Sequence, residues 1–299
     1  MNGRRMKVLL TSKFSDSNIF HFFALEINAL WQKISANPET AYSIYLEDDQ
    51  DSPPYRWRRD LIRSLVPVYT DLAEIPDDFD RCEFLDCSQW MVEPWDFRKY
   101  QPSAVHLKLA EVVKRNLGIP PRTGSKVVLI SREHSRRIHD YASGERFESA
   151  LKEFCLGNGV PYAVATFDDC SLGAQAELLS DARVMIANHG AANTNLFLLP
   201  ENGHLIEINF RRFWHCDPVC DAHFSNTIRY RDRCRGKLTF RPDFHKADYH
   251  NLAQLFARKY TEIQLVDADT FLDRNPINLK NVFVHSEDIF AVIRREFSR

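Results

Sequence analysis

The sequence has 299 residues, 44% hydrophobic and 27% charged, enough for one large domain or two ordinary ones with real cores. A net charge of −2 and a pI near 6.6 leave no basic field for nucleic acid or an anionic membrane. The apolar run Val8-Leu9-Leu10 is too short for a signal peptide, and no stretch reaches the length of a membrane-spanning helix.

Seven scattered cysteines and the lack of any Asn-x-Ser/Thr sequon point to a reduced, cytoplasmic protein. His215, Cys216, Cys220, His223 and Cys234 are possible zinc ligands, but their spacing fits no structural zinc pattern. Buried free thiols are the simpler reading, and no metal site is expected.

A strand over 7–11 opens the chain, followed by a polar turn and a helix over 19–34. A strand over 42–46 runs into the acidic turn Glu47-Asp48-Asp49-Gln50-Asp51 and Pro53-Pro54. A helix over 55–64, short strands over 66–69 and 82–85, and an amphipathic helix over 106–116 complete the first half. The segment 117–124, Leu-Gly-Ile-Pro-Pro-Arg-Thr-Gly, reads as a linker. The pattern then restarts with strands over 126–131, 162–166, 183–187 and 205–209 and helices over 145–156, 172–179 and 191–198. This alternation predicts an α/β protein of two Rossmann-like domains facing a central cleft. The expected parts are 1–117, 118–285 and a helix over 286–299 that packs back toward the first domain.

Three features of the second half carry chemistry. The strand ending at Ala187 leads into Asn188-His189-Gly190-Ala191-Ala192-Asn193-Thr194-Asn195. Its small residues admit a phosphate close to the backbone, and the first N–H groups of the following helix favour anions. The strand that starts at Lys126 ends in Ser131-Arg132, followed by Arg136-Arg137, a set suited to bidentate recognition of a diphosphate. Both loops should leave the same sheet edge. Glu207, among aliphatic neighbours in a strand, needs a partner, either the hydroxyls of a ribose or an arginine.

Together these residues resemble glycosyltransferase family 61. The resemblance covers about eighty residues: Ser131-Arg132, Arg136-Arg137-Ile138, Gln175, His189 to Asn195, Leu196-Phe197-Leu198-Leu199-Pro200 and Ile206-Glu207-Ile208. More faintly, Asn18-Ile-Phe-His21 with Glu26 resembles the start of the family's first helix. The resemblance implies a GT-B architecture, inverting transfer from a UDP-sugar to a glycan, and no cofactor or required metal. It implies donor contacts from Ser131, Arg132, Arg136, Arg137, His189, Gly190, Ala191, Asn193, Thr194, Asn195 and Glu207. Xylose or N-acetylglucosamine is the expected sugar, and a homodimer stays open.

For the catalytic base the expectation is Glu26, with His21 orienting the acceptor and Asp48 in reserve. On an ideal α-helix His21 and Glu26 point some 140° apart, so sharing a face needs an irregular turn. The rival reading is a metal-dependent GT-A enzyme that holds a divalent ion with Asp49 and Asp51. Another rival is a nucleotide-sugar-binding protein without catalysis. The basic stretch 229–241 is read as a solvated edge, not a nucleic-acid surface.

Overall fold

The computed structural model describes residues 5–13, 18–87, 104–167, 170–209, 247–270 and 279–298, and the chain divides into two units. Met1–Pro121 and Phe167–Ser180 form the first, and Arg122–Thr166 and Asp181–Arg299 the second. The five zinc-ligand candidates from His215 to Cys234 and the basic stretch 229–241 lie outside the described residues. No described helix is long and apolar enough to cross a membrane.

The first unit contains β1 (Lys7–Ser12), β2 (Ala41–Leu46), β3 (Val68–Tyr69) and β4 (Arg81–Phe84), all in parallel register in the order β3-β2-β1-β4. This is the opening of the doubly wound 3-2-1-4 arrangement. Central β1 buries Val8, Leu9 and Leu10 without alternation, as a parallel strand covered on both faces requires. The helix after β1 spans 19–36, and Asn18 caps it by accepting from the Phe20 N–H at 2.9 Å. Its segment Phe22–Ile27 is π-helical. Hydrogen bonds there reach five residues along the chain, which brings positions five apart toward a common face. The 140° separation expected of His21 and Glu26 therefore does not hold.

Pro53 and Pro54 begin the helix Pro53–Arg63, where the first turn has no intrahelical partner for an N–H. That helix buries Tyr55, Trp57, Leu61 and Ile62, and Arg58 with them. The helix Leu172–Ser180, expected in the second domain, contacts Pro53–Arg63 and belongs to the first unit.

The second unit contains β5 (Lys126–Ile130), β6 (Arg137–Asp140), β7 (Tyr162–Ala165), β8 (Ala182–Asn188), β9 (His204–Asn209), β10 (Lys259–Gln264), β11 (Asp267–Thr270) and β12 (Leu279–Val284). Five of these make a wholly parallel sheet in the order β7-β5-β8-β9-β10. Counted within that sheet the order is 2-1-3-4-5, the flavodoxin-like form of the doubly wound plan. β6, β12 and β11 form a small separate sheet. The architecture is thus α/β with a Rossmann-like sheet in each unit.

The C-terminal helix Ser286–Phe297 contributes to the core of the second unit. Its apolar face, Ile289, Phe290 and Ile293, completes the core that Val127, Ile186 and Ile206 share with Phe147 and Leu151. Phe290 stacks on Phe154 with ring centroids 4.2 Å apart. At the far end buried Glu296 accepts from Lys259 Nζ at 2.6 Å and lies 3.5 Å from Arg183. An amphipathic helix settles where its apolar stripe finds matching surface, and the second unit supplies it.

Candidate functional site

In the large sheet the strand order reverses between β5 and β8. Ligands of doubly wound proteins collect at such a switch point, beyond the carboxyl ends of the strands. The two loops leaving those ends carry the arginines and the His189-Gly190 turn. They meet: a Cβ added to Gly190 would lie 3.0 Å from Arg132 Nη2 and 3.2 Å from Arg136 Nη1. Both guanidinium groups therefore rest against the bare face of the glycine, and a larger residue would push them away.

Arg136 is fastened there from both ends. Its Nη1 donates to the His189 carbonyl at 2.9 Å, and its own carbonyl accepts from Asn188 Nδ2 at 2.7 Å. Its backbone is left-handed (φ 53°), a conformation that costs a non-glycine residue on the order of 1 kcal/mol. The tight crossing of two loops keeps it there. Arg137 instead opens β6, in register with Asn281, and is not part of the pair.

His189 is buried, its N–H donating to the Ile208 carbonyl at 2.8 Å and its ring edge-on to Tyr249 at 5.3 Å. Its Nδ1 hydrogen-bonds Glu207 Oε1, while Tyr260 donates to Glu207 Oε2 at 2.5 Å. Among the described residues the partners of Glu207 thus include a histidine and a tyrosine. The carboxylate orients the imidazole from behind. Asn193, Thr194 and Asn195 are at 0% exposure. Ala191 opens the 3-10 helix Ala191–Leu198. The Oδ1 atoms of Asn188 and Asn193 and the Thr194 hydroxyl are buried without a partner, each a cost of about 1–3 kcal/mol. Such groups concentrate where a structure serves function. Ser131 bonds to Glu148.

A second cluster lies in the first unit, around Ser12 at the end of β1 and Asp48 just past β2. Glu26 is fully buried, its two oxygens accepting from Arg58 Nη2 and Nε at 2.6 Å each, and Ser12 donates to Oε1 as well. Arg58 also donates from Nη1 to Asp48 Oδ1 at 2.9 Å, and its guanidinium lies 5.1 Å from the Phe22 ring centroid. This corrects the choice of Glu26 as base: with no exposure and both oxygens held, it cannot reach an acceptor hydroxyl. Asp48 keeps 14% exposure and is the carboxylate of this cluster that reaches the surface. His21 is buried at 7% exposure. Burial pushes the Cys87 thiol up to about 12, and the charge of Glu26 adds to the shift, which leaves the thiol protonated and a poor nucleophile.

Asp49 and Asp51, the rival metal pair, face arginines: Asp49 accepts from Arg59 Nη1 at 2.5 Å, and Asp51 lies 3.7 Å from Arg56. Burial raises the Asp49 pKa, against the pull of Arg59 and Arg58. No group of three or more His, Cys, Asp or Glu side chains is placed to hold a metal among the described residues. Sequence reasoning missed Arg58, Tyr249 and Tyr260. Arg58 left one signal, an arginine amid the apolar positions of its helix, whereas the tyrosines left none.

No curated protein matches the sequence. Among solved structures the chain is similar to E. coli heptosyltransferase WaaC with ADP-2-deoxy-2-fluoro heptose, at 10% identity and a TM-score of 0.31, over 68% of this chain and 88% of that one. The family profile of glycosyltransferase 61 matches residues 19–206, a span running from the capped first helix through both loops at the switch point to the residue before Glu207. On that match, more than half the chain, the protein belongs to glycosyltransferase family 61 and is a glycosyltransferase.

Proposed function

We propose that the enzyme moves a sugar, xylose or N-acetylglucosamine, from a UDP-sugar to a hydroxyl of a glycan, with inversion and without a metal ion. The observation that carries this reading is the approach of Arg132 and Arg136 to Gly190 at the switch point. Two guanidinium groups and the N–H groups that follow the turn offer a diphosphate the charge a magnesium ion would otherwise supply. In the transfer a carboxylate takes the proton of the acceptor hydroxyl as its oxygen attacks the anomeric carbon. The bond from that carbon to the diphosphate oxygen breaks on the opposite face, and UDP leaves with the electron pair. Asp48 is the base in this reading, with Arg58 and Glu26 holding it. A cytoplasmic setting accords with the seven scattered cysteines.

The test is a panel of UDP-sugars, scored by thermal stabilisation and by release of UDP with and without a glycan acceptor. The reading expects one sugar to stand out and turnover to persist in EDTA. Loss of activity in EDTA with rescue by manganese would refute the metal-free mechanism.

A further inference from the structure

Beside the arginines, where β5 and the edge strand β7 end, lies a cavity of about 460 Å³. Ser131, Glu133, Arg146, Glu148, Val164 and Thr166 line it. Glu148 stands in the first turn of the helix Phe147–Gly157 and is held rigidly on one side only. Its Oε1 accepts from both Ser131 Oγ and Arg146 Nη2, the latter at 2.6 Å, while among the described residues no bond ends on Oε2, and the side chain is 31% exposed. Arg146 Nε is buried and unpartnered. Val164 leaves an apolar side chain 43% exposed in the same wall.

The charges decide what fits. Two carboxylates against one guanidinium repel a phosphate, so the cavity suits a neutral group rich in hydroxyls. A carboxylate with one oxygen pinned and the other open is a preorganised acceptor for a vicinal diol. An exposed aliphatic wall beside it suits the face of a planar ring. Ser131 is also the immediate neighbour of Arg132, so the cavity begins within one residue, about 3.8 Å along the backbone, of the arginine pair. Glu207, the carboxylate the sequence offers for a ribose, is occupied by His189 and Tyr260.

We propose that this cavity receives the nucleoside of the donor, with Glu148 accepting from the ribose hydroxyls and Val164 lying against the base. The inference rests on the nucleotide-sugar reading above and assigns its specificity to residues outside the His189-Gly190 turn.

Calorimetric titration of the full chain with UDP, 2′-deoxy-UDP and inorganic pyrophosphate tests it. Glu148→Gln should weaken UDP about tenfold or more, weaken 2′-deoxy-UDP less, and leave pyrophosphate unchanged. Val164→Trp, a change at an exposed position that fills the cavity, should weaken both nucleotides and spare pyrophosphate. Parent-like UDP binding in both variants, or an equal loss of pyrophosphate, would overturn the assignment while leaving the donor reading intact. A parent chain that binds pyrophosphate and UDP equally would also overturn it. A parent that binds neither would overturn both.

Discussion

Arg58 grips Glu26 through two parallel hydrogen bonds, Nε to Oε2 and Nη2 to Oε1, each 2.6 Å long, with both side chains at 0% exposure. Removing one member of such a pair leaves a buried charge without its counterpart, which costs about 3–5 kcal/mol. Arg58→Met should lower stability by that amount in urea titration. The double variant Arg58→Met with Glu26→Leu should recover a large part, because two apolar groups leave no charge behind. A double variant as unstable as the single one would show that packing, not charge, sets the loss.

Asp48 receives the third arm of the same guanidinium and alone of the three keeps a path to solvent. Asp48→Asn should slow turnover at saturating donor by about 10²–10⁴-fold while UDP binding stays at the parent level. Compared at a temperature where both are folded, Glu26→Gln should lose less. The reverse ranking would return the base to the first helix.

At the switch point the cost of a side chain on Gly190 can be read from geometry. The Cβ of Gly190→Ala would meet two arginine side-chain ends at 3.0 and 3.2 Å, which can yield by a few tenths of an ångström. Gly190 also holds φ 158° and ψ 175°, a region essentially reserved for glycine, so Gly190→Ala should lower stability by about 1–3 kcal/mol and weaken UDP binding as the guanidinium groups are displaced. Arg132→Ala should cost about 2 kcal/mol of UDP binding, the scale of one charge-assisted hydrogen bond. If calorimetry finds Arg132→Ala binding UDP like the parent, that arginine is merely solvated.

Asp140 ties the end of β6 to the start of the C-terminal helix. Burial raises its pKa, but hydrogen bonds from Ser286 and Ser143 outweigh burial and hold it at about 2. A carboxyl depressed in the folded state stabilises it above the unfolded pKa, near 4, and that contribution fades as the pH falls toward 2. The group is partly open to solvent, so the effect is screened to about 1 kcal/mol. Asp140→Asn should be less stable than the parent at pH 7, with the gap narrowing toward pH 2. A gap independent of pH would assign the loss to geometry alone.

The local signals in the chain were sufficient for its class. Apolar runs such as Val8-Leu9-Leu10, the strand–helix alternation and the restart after Gly124 report backbone periodicity, which neighbouring residues encode by themselves. The arginine loop and the His189-Gly190 turn were legible because each sits within a few residues of a strand end. Whatever depends on a partner far along the chain was not legible. Glu26 lies 32 residues from Arg58, and Glu207 lies 53 from Tyr260, so nothing in the local pattern marks one carboxylate as locked and another as open. The C-terminal helix declared its apolar stripe in sequence, but Phe147, Phe154 and the sheet decided where that stripe was buried. The π-helical segment Phe22–Ile27 belongs with these: a helical pattern announces a helix, while the extra residue per turn comes from packing. Periodicity is a property of adjacent residues, and the pairing of buried charges is a property of the closed fold.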